Sequence, residues 1–448
     1  MKEGEQMIQN HQAKQIDAHP DRPLSTWKLF LSLPILSWAL YDFANTIFSS
    51  NINTIFFPLF LEHAVGGNAV MNQIASTFIS YANAAASFFL VIFSPLFGTT
   101  IDRTGKKKSW IVWFTLITVI GTLSMGIFAY YQVPGQLFNL PISLILVIIS
   151  FVIAKFFYHS SLVFYDSMIS DLAPKTQIPL ISGFGVAVGY IGTLLGLGVY
   201  PFVGDDGYHI AFLLTGALFF LFALPLFFFS KDKKVIQKTD HASFLSGYKD
   251  IIATFKEMKN YKPVFTFMIS YFFLNDAIAT AIAMMAIYTK AVVGFTTGEF
   301  ILLYLVSTVS SIIGSFIFGF ITKAHGTKRA VLYVGILMCL ALLVGSIATA
   351  KSMFWVAGSM FGVSLGAMWV TSRTYIVELS PENKRGQFFG LFAFSGKVSS
   401  ILGPLLYGSI TWIFAGYGNL ASRLAMGSLI IMTFIGILVL FKVKPVKN

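Results

Sequence analysis

The stretch GTTIDRTGKKK, from Gly98 to Lys108, connects two long apolar runs and decides how the fold is to be interpreted. It places two glycines, an Asp-Arg pair and three lysines between segments that carry almost no charge. The whole chain of 448 residues is 56% hydrophobic and only 11% charged, which is more apolar surface than a soluble protein can hide from water. Its repeated apolar runs of about 18 or more residues predict membrane-spanning helices.

The apolar runs predict twelve spans, with both chain ends on the same side of the membrane. Of the 31 Lys and Arg residues, 25 fall in the terminal segments and in the connections on that side, whereas Lys290, Lys351 and Arg423 fall on the other side. By the positive-inside rule, both termini are then cytoplasmic. The net charge of +12 therefore indicates topology, and no nucleic-acid partner is predicted. The predicted spans are 34–61, 72–97, 109–131, 141–164, 180–203, 209–230, 263–289, 298–321, 329–350, 353–377, 386–413 and 422–441.

We predict an all-α polytopic membrane protein whose twelve transmembrane helices form two six-helix bundles. A polar linker at 231–262 joins the two bundles. Its apolar residues recur at helical spacing among lysines, which predicts either a helix lying on the anionic cytoplasmic leaflet of the membrane or a solvated segment with some helix. The compact loops suit a bacterial cytoplasmic membrane. The predicted organisation is an N-terminal cytoplasmic arm at 1–33, a first bundle at 34–230, the linker at 231–262, a second bundle at 263–441 and a cytoplasmic tail at 442–448.

The two bundles carry related connections. Gly98 and Gly105 after the second span recur as Gly319 and Gly326 after the eighth, with basic residues at matching positions. The Asp-Arg pair of the first connection is replaced by Lys-Ala in the second. Because six crossings separate the matching connections, both lie on the same membrane face. This predicts two parallel repeats related by an axis along the membrane normal.

These features resemble the major facilitator superfamily. Its loop motif, Gly-x3-Asp-Arg-x-Gly-x-[Lys/Arg]-[Lys/Arg] between spans 2 and 3, is complete at 98–108. The stretches 38–45 (WALYDFAN), 182–192 (SGFGVAVGYIG) and 372–375 (SRTY) further resemble the vacuolar amino-acid effluxer-like branch related to autophagy. Helix 7 departs from that branch, with Asn-Asp-Ala at 275–277 where an Asp-Gly pair is usual. The resemblance implies a carrier that works by rocker-switch alternating access, with an amino acid as the leading substrate.

The opening connection has a predicted role in gating. Gly98 permits close helix approach and Gly105 permits a tight turn. The resemblance implies that Asp102, beside Arg103, accepts hydrogen bonds from the exposed N–H groups at the start of helix 11. Such a contact would join the two bundles on the cytoplasmic face in the outward-open state and break on inward opening. The alternative is that the connection only fixes the topology.

Ionisable groups within the spans are candidates for substrate or proton binding, because charges inside a membrane are costly. Asp42 lies near mid-membrane in helix 1, and Asn45 and Ser49 share its face. This stripe predicts a water-filled cavity, or else buried hydrogen bonds between helices. Lys397 lies about 16 Å into helix 11, too deep to reach either surface easily. We expect it to pair with a carboxylate or to bind an anionic substrate group.

Helices 4, 7 and 10 supply the remaining candidates. Asp276 and Thr280 on helix 7 either line the pathway or form a structural pair, and Trp369 on helix 10 either lines the cavity or anchors the helix at the membrane interface. Four charged residues on helices 4 and 10 predict either a salt-bridge gate near the cytoplasmic ends or side chains that extend to the headgroups. They are Lys155, Asp166, Arg373 and Glu378.

The sequence predicts transport rather than catalysis. It has no Cys/His grouping with metal spacing, no nucleophile–base pair and no nucleotide motif, so no metal, cofactor or enzymatic activity is expected. We predict a monomeric secondary transporter of a small polar metabolite, surrounded by membrane lipids. Asp42 and Lys397 are available for an ammonium and a carboxylate, and Asp42 and then Asp276 are candidates for coupling to protons. Export of drugs, siderophores or other amphiphiles is one alternative, and a non-transporting sensor or lipid-handling protein is another.

Overall fold

The computed structural model describes residues 26–65, 69–131, 133–137, 140–203, 207–232, 247–256, 258–414, 417 and 419–444. Backbone groups in hydrocarbon must find partners within their own segment, which is why long apolar runs fold as helices. Within these ranges, eleven helices are long and apolar enough to cross a membrane. They are α2 (Ala69–Thr104), α3 (Lys107–Tyr130), α4 (Ile142–Leu172), α5 (Ile178–Leu197), α6 (Tyr208–Phe229), α7 (Lys262–Val293), α8 (Thr297–His325), α9 (Thr327–Ile347), α10 (Lys351–Leu379), α11 (Arg385–Ile413) and α12 (Asn419–Phe441).

The first span, α1, supplies the twelfth helix and consists of three consecutive parts. Leu33–Phe48 is α-helical with a proline in its first turn, Ser49–Phe56 is π-helical, and Phe57–Val65 is α-helical again. Backbone hydrogen bonds in a π-helix run from residue i to i+5, so its turns are wider, and such segments often occur at functional sites. We call the end of the bundle where α1 begins and α12 ends the terminal face.

The helices continue beyond the apolar runs on the terminal face. Gly98, Asp102 and Arg103, which the sequence placed in a connection, instead lie in the last two turns of α2. Polar helix ends outside hydrocarbon can exchange hydrogen bonds with water, so an apolar run marks only the minimum length of a helix. The turn into α3 is made by Gly105, with φ +64°, and the matching turn into α9 by Gly326, with φ +85°. Both glycines use a backbone conformation that other residues rarely adopt.

The two halves pack their helices in the same pattern. In the first half α1 contacts α5 and α6, and α3 contacts α4 and α6. In the second half α7 contacts α11 and α12, and α9 contacts α10 and α12. The halves meet along α2–α11 and α5–α8, two contacts that exchange under a twofold axis. The predicted fold class, twelve helices in two parallel six-helix repeats, is therefore confirmed.

Close approach of the halves depends on glycines near the terminal face. A Cβ atom on Gly98 would lie 2.5 Å from the carbonyl oxygen of Gly386, and one on Gly390 would lie 2.5 Å from the backbone of α2. Between α5 and α8, a Cβ on Gly183 would lie 2.7 Å from the carbonyl oxygen of Ser315. Larger residues at these positions would push the halves apart.

Part of the linker forms a helix that packs on the bundle. This helix is Gly247–Lys256. The Tyr248 hydroxyl donates to the Ile92 carbonyl oxygen at 2.8 Å, and the Thr254 hydroxyl donates to Gln387 Oε1 at 2.9 Å. The linker helix therefore contacts α2 and the start of α11. Residues 1–25 of the predicted arm, 233–246 and 257 of the linker and 445–448 of the tail lie outside the described residues.

Candidate functional site

Asp102, near the end of α2, binds the N-terminus of α11. The Gly386 amide donates to Asp102 Oδ1 at 2.7 Å, and the Gln387 amide donates to Oδ2 at 2.8 Å. The first N–H groups of a helix have no partner within it, and the helix dipole makes this end partly positive, so one carboxylate satisfies both groups. These three residues, which we call the latch, join the two halves at the terminal face. Its role in gating stays a prediction.

A second charged contact between the halves lies deeper in the bundle. Asp166 Oδ1 of α4 is 2.9 Å from Arg373 Nη2 of α10, and each residue is about 9 Å from the end of its helix. The guanidinium group lies 5.2 Å from the ring centroid of Trp38 and 5.5 Å from that of Tyr165. These aromatic rings stack on each other and shield the ion pair from water. Trp38 appeared in the sequence only as part of the 38–45 motif, and Tyr165 was not singled out because aromatic residues make up 16% of the chain.

Asp42 of α1 lies beside this ion pair. It is 9% exposed, and its charge is close enough to interact with those of Arg373 and Asp166. Gly189 of α5 makes room for it, since a Cβ there would lie 3.2 Å from the Asp42 carboxyl group. One turn along, Asn45 is 1% exposed, and its side-chain atoms have no hydrogen-bond partner among the described residues. A buried amide without partners indicates a place where a ligand or water binds.

The rest of the polar stripe on α1 mainly packs against neighbouring helices. The Thr46 hydroxyl donates to a carbonyl oxygen of α5. The Asn51 amide donates to the Gly196 carbonyl oxygen and to Thr215 Oγ1, both at 3.0 Å. Ser49 is half-buried at the start of the π-helical segment. The stripe therefore contains both helix–helix hydrogen bonds and, at Asn45, a buried amide whose side-chain atoms have no hydrogen-bond partner among the described residues.

A group of basic side chains lies about midway through the bundle. Lys397 Nζ of α11 is 3.3 Å from His159 Nε2 of α4, so this contact also joins the halves. Lys155, one turn before His159, is close enough to Lys397 for their charges to repel. The sequence placed Lys155 in a gate with Asp166. About three helical turns separate these two residues along α4, and Lys155 instead groups with Lys397.

His159 is a site residue that sequence reasoning missed. Seven histidines are scattered through the chain, and an isolated histidine inside a span is easily passed over. Its spacing from Lys155 was the available signal, because residues i and i+4 share a helix face.

Asp276 packs against α11 within the second half. It is fully buried, and its Oδ1 accepts a hydrogen bond from the Gly403 amide at 2.8 Å. Thr280, also fully buried, lies against the same glycine. Asp276 Oδ2 and Thr280 Oγ1 have no hydrogen-bond partner among the described residues. Both interpretations that the sequence left open, pathway lining and a structural pair, stay predictions.

Two other candidates on α10 lie on exposed surface. Trp369 is 39% exposed, and Glu378 is exposed near the terminal face. The charged contact between α4 and α10 therefore consists of Asp166 and Arg373. Among the described residues, no group of three or more His, Cys, Asp or Glu side chains is arranged to hold a metal ion.

Comparison with known families agrees with this architecture. Residues 176–447 match the family described as vacuole effluxer Atg22-like, which is more than half of the chain. The chain belongs to the Atg22-like family. The resemblance predicted from its motifs is thus confirmed.

Related proteins extend the match to most of the chain. An uncharacterized MFS-type transporter of Bacillus subtilis, YxiO, is 28% identical over 417 residues, covering 90% of this chain and 93% of that protein. Autophagy-related protein 22 of Saccharomyces cerevisiae is 24% identical over 272 residues, covering 52% of each protein. This Atg22-like chain therefore aligns with about half of the yeast protein.

Solved structures share the fold. The proton:xylose symporter XylE superposes with a TM-score of 0.71 at 14% identity, covering 92% of this chain and 97% of that one. A bacterial homologue of the iron transporter ferroportin superposes with a TM-score of 0.70 at 13% identity, covering 92% and 98%. The Atg22-like protein is a multi-pass membrane protein with the major facilitator fold.

Proposed function

We propose that this Atg22-like protein is a secondary transporter that moves a small polar metabolite, foremost an amino acid, by alternating access. The observation that carries the proposal is the presence of charges of both signs inside the bundle, between two related half-bundles. Asp42 and Arg373 are buried and Asp166 is partly buried in one layer, and Lys397 is partly buried in another. Charges in a membrane interior are costly and are characteristic of solute pathways. The effluxer name of the family supports the same class of function.

The contacts between the halves correspond to one end state of such a cycle. The latch and the Asp166–Arg373 pair both close the terminal face. We assign that face to the cytoplasm, because the positive-inside rule applies to its excess of Lys and Arg. The conformation is then outward-facing. Transport requires both contacts to break as the halves rock, so that the layer containing Asp42 becomes open to the cytoplasm.

The arrangement suits a zwitterion such as an amino acid. Asp42 offers a carboxylate for an ammonium group, and the unpartnered amide of Asn45 lies one turn away. When the site is empty, the Asp42 carboxylate can instead take a proton, which would couple transport to a proton gradient. The protein provides these groups within a single chain, in agreement with function as a monomer.

Uptake into proteoliposomes tests the proposal. The purified protein is expected to give saturable exchange of at least one labelled amino acid. Asp42→Asn is expected to lower kcat/KM at least about tenfold, because a charge-assisted hydrogen bond contributes about 1.5–3 kcal/mol. Asp171→Asn is the matched control: it removes a carboxylate that pairs with Lys107 at 2.7 Å inside the first half, so its kcat/KM should stay near the wild-type value.

Three outcomes would count against parts of this proposal. If no amino acid gives saturable flux but drugs or siderophores do, the substrate class is wrong. If no solute in the panel moves, the transporter activity itself is refuted and a sensor or lipid-handling role is favoured. If Asp42→Asn transports with an unchanged pH dependence, proton coupling through Asp42 is excluded.

A further inference from the structure

The basic cluster of Lys155, His159 and Lys397 lies at a different depth from the acidic layer. Measured along the helices at 1.5 Å per residue, Asp166 is about 9 Å from the terminal end of α4, His159 about 20 Å and Lys155 about 26 Å. Lys397 is about 18 Å from the same end of α11. A solute entering from the opposite face therefore reaches the basic cluster before it reaches Asp166.

The cluster is built for hydrogen-bond donation. An ammonium group has three donors and no acceptor. The contact between Lys397 Nζ and His159 Nε2, 3.3 Å long, uses one donor of the lysine. Among the described residues, the ion pairs of the chain do not include Lys397. All three side chains of the cluster are partly buried.

Electrostatics favour an anion at this place. The charges of Lys155 and Lys397 repel each other, and both act on the His159 ring. Like charges in a medium of low dielectric constant oppose each other strongly. An oxyanion that accepts hydrogen bonds from both ammonium groups is attracted to each of them, which offsets their mutual repulsion. Charge-assisted hydrogen bonds of this kind are about twice as strong as neutral ones.

From this geometry we infer that Lys155, His159 and Lys397 form a subsite for the carboxylate of the transported solute. The inference rests on the proposed transport function and adds a requirement that the function alone does not contain. The solute must carry an anionic group, and this group is bound jointly by the two halves through α4 and α11. Because the subsite spans the halves, its occupant also bridges them.

Matched ligand pairs test the subsite directly. Thermal unfolding of the purified full chain is measured with each proteinogenic L-amino acid and with its C-terminal amide, which keeps the ammonium and the side chain but lacks the carboxylate. Ligand binding to the folded state raises the unfolding midpoint. For the wild type we expect at least one acid to bind about tenfold or more tightly than its amide. Lys397→Gln and Lys155→Gln are each expected to remove this preference.

Lys323→Gln, at an exposed lysine on the terminal face, is the control and should keep the preference. The inference is overturned if the wild type prefers no acid over its amide, or if the preference persists in both Lys397→Gln and Lys155→Gln. It is also overturned if inorganic phosphate or added phosphatidylglycerol stabilises the protein through these lysines while no carboxylate does. Labelled uptake by the wild type keeps the two proposals distinct. Flux with an unchanged acid preference in the variants refutes only the subsite, whereas acid-selective binding without any flux refutes only transport.

Discussion

Removing the charge of Asp102 should shift the protein toward a state open at the terminal face. The carboxylate accepts hydrogen bonds from two amides at the start of α11, at 2.7 and 2.8 Å. In Asp102→Asn one oxygen can still accept, but the side-chain NH2 group faces the second amide and cannot. At least one charge-assisted hydrogen bond is lost, which costs about 1.5–3 kcal/mol, and the interaction with the helix dipole adds about 0.3–1 kcal/mol.

These energies act only on the closed state, because the latch spans both halves. The two contributions together amount to about 1.8–4 kcal/mol. Each 1.4 kcal/mol changes an equilibrium constant tenfold, so the ratio of closed to open molecules should fall by a factor of roughly 20 to 700. A population that is about 99% closed would then be between about 83% and about 12% closed. Asp171→Asn is the appropriate control, because its ion pair with Lys107 lies within one half.

Distances between spin labels can measure this shift. Thr176 precedes α5 and Lys323 lies in the last turn of α8. Both are exposed on the terminal face, on opposite sides of the contact between the halves. Thr176→Cys and Lys323→Cys would be labelled in a background carrying Cys339→Ser. The Asp102→Asn protein should show a new, longer distance, and Asp171→Asn should not. An unchanged distance distribution in Asp102→Asn would refute the reasoning that the latch stabilises closure.

Three further predictions follow from the same contacts. Asp166→Asn leaves the buried Arg373 guanidinium without its charged partner, so the free energy of unfolding measured by denaturation should fall by about 3–5 kcal/mol. Exchanging Asp166 and Arg373 should restore part of this loss, whereas no loss of stability in Asp166→Asn would contradict burial of the pair. Gly390→Val should hold the terminal face open, because the valine side chain would meet the backbone of α2. A cysteine introduced on that face should then react faster with a thiol reagent, and an unchanged reaction rate would contradict this prediction. Asp276→Asn can keep the hydrogen bond from the Gly403 amide and should retain transport and its pH profile. Asp276→Leu cannot keep this bond, so its free energy of unfolding should fall by about 1–3 kcal/mol. An altered pH profile in Asp276→Asn would instead assign this residue to proton coupling.

The spans were predictable because the membrane imposes a simple rule. A segment that crosses hydrocarbon must be long, apolar and internally hydrogen-bonded, and hydropathy reports these properties directly. The parallel repeats followed from the paired glycines at 98 and 319 and at 105 and 326. Helix ends were less accurate, since the polar turns that carry Asp102 extend α2 into a region where hydropathy carries no signal.

Side-chain partners were harder to predict, because they depend on which helix faces meet. Asp166 and Arg373 carry opposite charges near the predicted cytoplasmic ends of helices 4 and 10, which made an ion pair a reasonable expectation. His159 and Lys397 are 238 positions apart in sequence, and no local pattern specifies the contact between them. The packing of Asp276 on Gly403 depends in the same way on how closely α7 approaches α11.

The π-helical segment Ser49–Phe56 has a geometric consequence for α1. Each of its hydrogen bonds spans one residue more than in an α-helix, and one residue corresponds to about 100° of rotation. The side chains of Phe57–Val65 therefore point in other directions, relative to the stretch that carries Asp42, than an uninterrupted α-helix would give them.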